Sequence, residues 1–214
     1  ADHIATAPDV VAAAKALGYD EKKIKILLYQ FVTLTENGEQ VKMSKRTGKS
    51  YTLDELIDDV GSDVATFFFI MRNIGTHLEF DLGLAREKSD KNPVYYLQYA
   101  HARTFNVLQQ AESDELKMPT NFSVLTSVYE KRLIKSLDKF QEALIRAAEH
   151  YEPQILAEYL KTVAADFHTF YHECRILQAE TVELRTARLK LTMCARHTLK
   201  NGLTILGASA PERM

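Results

Sequence analysis

The sequence predicts a mainly α-helical fold that is preceded by a small α/β segment. From about Leu82 onward, apolar residues recur nearly everywhere at a spacing of about 3.6 residues, which is typical of amphipathic helices. Before that point, one apolar, β-rich run covers residues 26–34, and an Asn-Gly pair typical of a hairpin turn follows it. Apolar residues make up 46% of the 214 residues, which is enough for a globular core.

The first predicted elements are one helix and one short hairpin. A helix start is predicted from Thr6 as the cap, Pro8 in the first turn and the acid Asp9. Gly18 marks the predicted end of that helix. Asn37-Gly38 tolerates the positive φ of a tight hairpin, so the chain is expected to return as a second strand. Two short strands are too few for an independent sheet, and we therefore expect the edge of a larger domain here.

Helical signals dominate the rest of the chain. Thr52 and Glu55 form a capping box, and Gly61 is a predicted helix end. A second helix is expected to begin at Ser62, and residues 76–81 are expected to form an irregular link. Further helices are predicted from Asn92 to about Ala111, and over about 122–150, 154–178 and 182–206.

Composition and charge narrow the possible functions. No apolar run approaches the roughly 18–20 residues of a transmembrane helix, and no secretion signal opens the chain. Cys174 and Cys194 lack the CxxC spacing of a thiol zinc site and suit a reducing cytosol. A net charge of −2 does not by itself indicate a nucleic-acid binder, so that function would depend on local basic patches. We expect a cytoplasmic protein without membrane association.

A basic run follows the predicted hairpin. Four cations lie within eight residues, with no acid among them: Lys42, Lys45, Arg46 and Lys49. Ammonium groups in such a loop can stabilise the charge that develops on a polyphosphate during reaction. A solvated surface loop is the plainer alternative. A Walker P-loop is excluded, because Met43 stands where that motif requires its first glycine.

The run Lys42-Met43-Ser44-Lys45 resembles the KMSKS signature of class I aminoacyl-tRNA synthetases, in which two lysines stabilise ATP phosphates. Other segments resemble arginyl-tRNA synthetases in particular, and they occur in the order of that family: residues 41–48, 67–72, 80–82, 92–103, 201–203, 206–207 and 211–214. The segment 92–103 is the most specific of these. The resemblance covers essentially the whole chain.

This resemblance implies a domain organisation. Residues 1–50 would be the C-terminal edge of a Rossmann-type nucleotide-binding catalytic domain. Residues 51–88 would be a helical connector that contacts the tRNA stem, and residues 89–214 an all-helical anticodon-binding domain. The HIGH motif and the arginine pocket of the family are not found in these residues. We therefore expect a C-terminal portion that is inactive by itself. A monomer is expected as well.

The resemblance also implies functional residues and ligands. Lys42 and Lys45 correspond to the catalytic lysines, while Met43, Ser44 and His3 would contribute to the ATP site. The family uses ATP with Mg²⁺ to activate arginine and then transfers the amino acid to tRNA(Arg). No tightly bound metal is expected in this chain.

One side of the helix that begins at Asn92 is a candidate RNA-binding surface. At about 100° per residue, one side is expected to be core; it contains Val94, Leu97, His101, Phe105 and Leu108. The other side combines aromatic, guanidinium and amide groups, which suit unstacked bases and phosphates; it contains Tyr95, Tyr96, Tyr99, Arg103 and Asn106. Packing of the tyrosine rings on a neighbouring helix is the alternative.

Two segments nearer the C-terminus are further candidates. Residues 184–211 contain no acid and five basic residues: Arg185, Arg188, Lys190, Arg196 and Lys200. Four of these five lie within one arc of the predicted helix. A phosphate-facing patch and a solvated face are both compatible with this pattern. Residues 167–172 resemble a stretch of the family's anticodon-binding domain, which implies RNA contact or packing, and Tyr171 is the candidate for RNA contact. His168 and His172 at i, i+4 spacing are expected to pack in the core rather than bind a metal.

Two other identities are compatible with parts of this pattern. Another class I synthetase, such as the cysteinyl enzyme, would share the Lys42–Lys45 signature but not the segment 92–103. A free-standing tRNA-binding or regulatory module would share the bundle but would have no need of the basic loop.

Overall fold

The computed structural model describes residues 3–41, 51–111 and 121–214. Helices and strands follow one another in this order: α1 (Ala7–Ala16), β1 (Val32–Glu36), β2 (Glu39–Gln40), α2 (Leu53–Val60), α3 (Ser62–Ile70), β3 (Leu78–Asp81), α4 (Leu82–Arg86), α5 (Pro93–Gln109), α6 (Val128–Asp138), α7 (Phe140–His150), α8 (Gln154–Glu173) and α9 (Val182–Ile205). Short 3-10 turns cover Glu21–Lys23 and Phe122–Val124. The predicted fold class, mainly helical with a small α/β part, is confirmed.

The predicted hairpin joins β1 to β2. Asn37 and Gly38 have φ values of 53° and 79°, which is the left-handed pair that this tight turn requires. Glu36 pairs with Glu39 in antiparallel register. Of the predicted strand over residues 26–34, only the last three residues lie in β1.

The sheet contains a third strand that was not predicted. Its strand order is β2-β1-β3, and β3 runs parallel to β1 with Val32 opposite Leu78. The prediction of an irregular link over residues 76–81 is therefore wrong for its last four residues. Leu78 and Phe80 alternate with more exposed neighbours and are buried, which is the pattern of a half-buried strand.

Helix α3 contributes buried side chains to two hydrophobic clusters. The sheet cluster comprises Leu34, Leu56, Ala65, Phe68, Phe80, Leu82 and Ala85. The bundle cluster contains Phe67 and the inward side chains of α5, α6, α8 and α9, among them Leu97, Leu133, Leu160 and Leu199. Phe67 and Phe68, which are adjacent on α3, thus belong to different clusters. Strand β3 lies in the predicted connector (51–88), yet it pairs with β1 of the predicted catalytic edge (1–50). Division of the chain at residues 50 and 88 stays a prediction.

Helix α8 is the central helix of the bundle and packs against α5, α6, α7 and α9. The long helix predicted over 122–150 is divided into a 3-10 turn, α6 and α7. Helix α6 begins at a capping box formed by Ser127 and Glu130, and it ends where Lys139 adopts φ −80° and ψ 0°. Within the ranges that the structure describes, no helix is both long and apolar enough to cross a membrane.

Candidate RNA-binding surface on the helical bundle

The predicted phosphate-binding loop covers residues 42–49. Lys42, Met43, Ser44 and Lys45 lie outside the described residues, so their role stays a prediction. His3 is exposed, and its Nδ1 lies 3.5 Å from the hydroxyl oxygen of Thr6. Its predicted part in an ATP site is likewise untested.

Arg103 joins α5 to α8 through aromatic contacts. Its guanidinium carbon lies 4.5 Å from the ring centre of Tyr99 and 4.9 Å from that of Tyr171. Tyr99 precedes it by one turn on α5, and Arg103 also donates a hydrogen bond to the Tyr99 hydroxyl. Both distances are within the range of cation–π attraction, so the rings hold the guanidinium in place.

His168 on α8 lies behind this arginine. Arg103 donates a hydrogen bond of 3.1 Å to Nδ1 of His168, and the imidazole is centred 5.1 Å from the ring of Tyr96 and 5.9 Å from that of Tyr99. Burial, together with the positive charge of Arg103, lowers the pKa of His168 to about 4. The ring is therefore neutral near pH 7, where it can accept the hydrogen bond from Arg103.

The predicted core pairing of the two histidines is correct for His168 only. His172 has a side-chain exposure of 84%, and its Nδ1 lies 3.0 Å from a carboxylate oxygen of Glu173. The two rings therefore have different surroundings despite their i, i+4 spacing. No group of three histidine, cysteine or acidic side chains suitable for a metal occurs among the described residues.

An open cavity of about 300 Å³ lies in front of these rings. Residues of α5 and α8 line it, and we call four of them the aromatic face: Tyr99, Arg103, Asn106 and Tyr171. Tyr99 and Tyr171 are 40% and 42% exposed, and Asn106 is also exposed. The surface therefore offers two accessible rings for stacking, a cation for phosphate and an amide for base edges.

Tyr95 lies apart from the aromatic face. It is half-buried and lines a separate cavity of about 450 Å³ together with Arg86 and Gln98. Tyr96 is also half-buried and packs against the bundle cluster. Of the α5 side chains that were predicted to face RNA, three line the cavity of the aromatic face, Tyr95 lines another cavity, and Tyr96 packs against the bundle cluster.

The arginines of α9 have protein partners. Nε of Arg188 lies 2.7 Å from a carboxylate oxygen of Glu130, which is only 1% exposed. Arg196 lies 2.7 Å from Glu212 and stacks 4.7 Å from the ring centre of Phe105. Arg185 is half-buried on the same helix.

Phe105 differs from its predicted place in the core. It is half-buried beneath Arg196, because the buried side at the C-terminal end of α5 is formed by Thr104, Val107 and Leu108. His101, in contrast, is buried as predicted, and its Nδ1 lies 2.8 Å from the backbone oxygen of Pro211.

A basic side of α6 was not among the predicted site residues. Lys131, Lys135 and Lys139 are exposed, and their four-residue spacing places them on one side of the helix. That spacing is the signal that could have revealed them. The intervening apolar residues and Asp138 obscure it when charges are only counted along the sequence.

A protein-family model and named relatives both match this chain. Residues 97–214 match the model of the DALR anticodon binding domain. The whole chain is 49% identical to a protein of Salinibacter ruber and 48% identical to one of Chlorobaculum tepidum, both named arginine–tRNA ligase. The chain spans only 38% and 40% of the length of these two relatives.

Solved structures with the same fold carry related names. A putative arginyl-tRNA synthetase from Campylobacter jejuni superposes with a TM-score of 0.87 at 30% identity, over 100% of this chain and 46% of that chain. The arginyl-tRNA synthetase of Thermus thermophilus superposes with a TM-score of 0.75 at 27% identity, over 96% of this chain and 38% of that chain.

Proposed function

The chain belongs to the DALR anticodon-binding family, in the form found in the C-terminal portion of arginine–tRNA ligases, and from this premise we propose that it binds the anticodon loop of tRNA(Arg). The resemblance identified in the sequence is confirmed at the level of this family. The bundle formed by α5 to α9 supplies the proposed binding surface.

The aromatic face is the observation that supports this proposal. Two exposed tyrosines from different helices flank one arginine in an open cavity. Anticodon bases are unstacked in a loop, and proteins commonly recognise such bases by stacking on aromatic rings and guanidinium planes. The exposed amide of Asn106 adds a donor and an acceptor that can contact a base edge.

The activity of the whole enzyme forms the second part of the proposal. The ligase would activate arginine with ATP and Mg²⁺ and transfer it to tRNA(Arg), with Lys42 and Lys45 stabilising phosphate charge and His3, Met43 and Ser44 near the nucleotide. The proposed ligase is monomeric and cytoplasmic. The free thiols of Cys174 and Cys194 suit the reducing cytosol.

Replacement of Tyr99 tests the RNA-binding surface. We expect Tyr99→Ala to weaken binding of a tRNA(Arg) anticodon stem-loop by about tenfold or more, because loss of base stacking typically costs about 1–3 kcal/mol. Fluorescence anisotropy titration at fixed salt measures the effect. Melting should change little, since the side chain is 40% exposed.

The matched control is Tyr19→Ala. Tyr19 is 67% exposed, follows α1 and is not among the residues that line the cavity of the aromatic face. Its replacement should leave stem-loop affinity unchanged. Wild-type affinity in Tyr99→Ala would mean that the aromatic face does not hold RNA.

Replacement of Lys45 tests the catalytic part. In the full-length ligase, Lys45→Ala should slow arginine-dependent ATP–pyrophosphate exchange by about 100- to 1000-fold, as expected when one preorganised donor is removed. Affinity for tRNA(Arg) should barely change, because the ammonium acts on ATP. Near-normal exchange would exclude the proposed role, and exchange by the 214-residue chain alone would contradict its proposed inactivity in isolation.

A further inference from the structure

A third open cavity, of about 660 Å³, lies between α6 and α8. Four cations of α6 and the turn after it line this cavity, and we call them the basic groove: Lys131, Arg132, Lys135 and Lys139. Thr162 and Tyr159 of α8 form part of the opposite wall. None of these residues belongs to the aromatic face.

The single acid in this lining is already neutralised by protein groups. Asp166 is 3% exposed, and one of its carboxylate oxygens lies 2.6 Å from Nε of Arg132. The hydroxyl of Ser136 donates a hydrogen bond to the other oxygen. In the part of the chain that the structure describes, no carboxylate lies at ion-pair distance from Lys131, Lys135 or Lys139. Among the described residues, these three lysines therefore have no ion-pair partner.

The basic groove and the aromatic face lie on opposite flanks of the exposed side of α8. Thr162 faces the groove, and Tyr171 faces the cavity in front of Arg103. At about 100° per residue, the exposed residues Lys161, Ala165 and His172 fall on the ridge of α8 between Thr162 and Tyr171. A helix with its side chains is about 10–12 Å across, so one ligand lying over this ridge can reach both flanks.

From this placement we propose that the basic groove binds the sugar–phosphate backbone of the same tRNA whose anticodon loop occupies the aromatic face. The inference rests on the proposed function and extends it. Exposed lysines suit phosphates, whose binding releases condensed counterions. Lysine is depleted in the interfaces between proteins, which disfavours an acidic protein partner. The net charge of −2 gives no overall attraction for RNA, so a local groove must supply it.

Neutralising two lysines tests this inference. Lys131→Gln/Lys135→Gln should reduce the slope of log affinity against log salt by about 1.4–1.8 for the anticodon stem-loop, at about 0.7–0.9 for each phosphate contact. Over a fourfold rise in salt, the wild-type chain should therefore lose about tenfold more affinity than the variant. Lys131→Arg/Lys135→Arg should retain most of the wild-type slope, and circular dichroism should show all variants folded.

The matched control is Lys22→Gln/Lys23→Gln, which makes the same change in net charge at two exposed lysines of the first 3-10 turn. Its slope should equal that of the wild-type chain. An unchanged slope in Lys131→Gln/Lys135→Gln would overturn the groove proposal, and so would an equal reduction in both double variants. If the wild-type chain binds the stem-loop and Tyr99→Ala weakens binding, but Lys131→Gln/Lys135→Gln leaves the salt slope unchanged, only the groove proposal fails. If the wild-type chain does not bind the stem-loop, the proposed function fails as well.

Discussion

Arg103 holds the proposed RNA-binding surface together at the scale of single residues. Its guanidinium lies between the rings of Tyr99 and Tyr171 and donates a hydrogen bond to His168. A long side chain that is already ordered loses less conformational entropy when a ligand binds. Arginine can thus present its remaining N–H groups to a phosphate while keeping the rings apart for bases.

The neutral state of His168 should be visible in the pH dependence of stability. Burial and Arg103 lower its pKa to about 4, whereas the unfolded chain has a value near its ordinary one of about 6.5. The unfolded state therefore binds more protons as the pH falls. Stability should be full above about pH 6.5 and decline as the pH falls toward about 4. Urea unfolding at pH 7 and pH 5 should show this loss.

Comparison with two variants isolates the contribution of His168. His168→Asn retains an acceptor near Arg103 but does not titrate, so its urea midpoint should fall less between the two pH values than that of the wild-type chain. His197→Asn, at an exposed position on α9, should behave like the wild-type chain. An equal loss in all three proteins would assign the pH dependence to other groups.

Sequence patterns predicted which side chains lie together on α5 better than they predicted the partner of each side chain. Helical periodicity brought Tyr99, Arg103 and Asn106 together, since residues three and four apart share one side of a helix. It could not show that Arg188 pairs with buried Glu130 on another helix. That pairing joins residues 58 positions apart, and no local spacing encodes it.

At the scale of elements, close packing of α8 and α9 depends on Gly202. A Cβ added there would clash with three side-chain carbons of the fully buried Leu160: Cδ2, which is nearest, Cδ1 at 2.7 Å and Cγ at 2.9 Å. Overpacking of this kind costs about 1–3 kcal/mol, while alanine gains about 1 kcal/mol over glycine in helix propensity. Gly202→Ala should therefore lower the melting temperature by a few degrees, measured by circular dichroism.

A double-mutant cycle separates the clash from other effects. In a Leu160→Ala background, Gly202→Ala should be neutral or stabilising, because the carbons that it would contact are gone. The Leu160→Ala change alone should cost about 2–5 kcal/mol, as expected for a core cavity. If Gly202→Ala destabilises both backgrounds equally, contact with Leu160 is not the cause.

Elements with strong local signals were predicted well. The capping box at Thr52, the Asn92-Pro93 helix start and the Asn37-Gly38 turn each depend on a few adjacent residues. Strand β3 was missed because its four residues become a strand only by pairing with β1, far earlier in the chain. The break at Lys139 was missed because apolar periodicity continues across it.

At the scale of the whole molecule, α3 connects the proposed RNA-binding bundle to the sheet that precedes it. Phe67 belongs to the bundle cluster and Phe68 to the sheet cluster, while Val64 and Met71 pack against both. A polar contact strengthens the junction: the side-chain amide of Gln98 donates to a carboxylate oxygen of Asp63 at 2.7 Å. The two clusters should therefore unfold together.

Truncation of the two phenylalanines tests this coupling, since both are buried, at 0% and 1% exposure, and they are adjacent. Phe67→Ala and Phe68→Ala should each cost about 3–5 kcal/mol through cavity formation. Because α3 forms a wall of both clusters, each variant should accelerate hydrogen exchange in β3 and in α8 by similar factors, as measured by mass spectrometry. Selective acceleration in β3 by Phe68→Ala, with α8 unchanged, would show two independent units. In that case the bundle that carries the proposed RNA-binding surface would be a folding unit separate from the sheet.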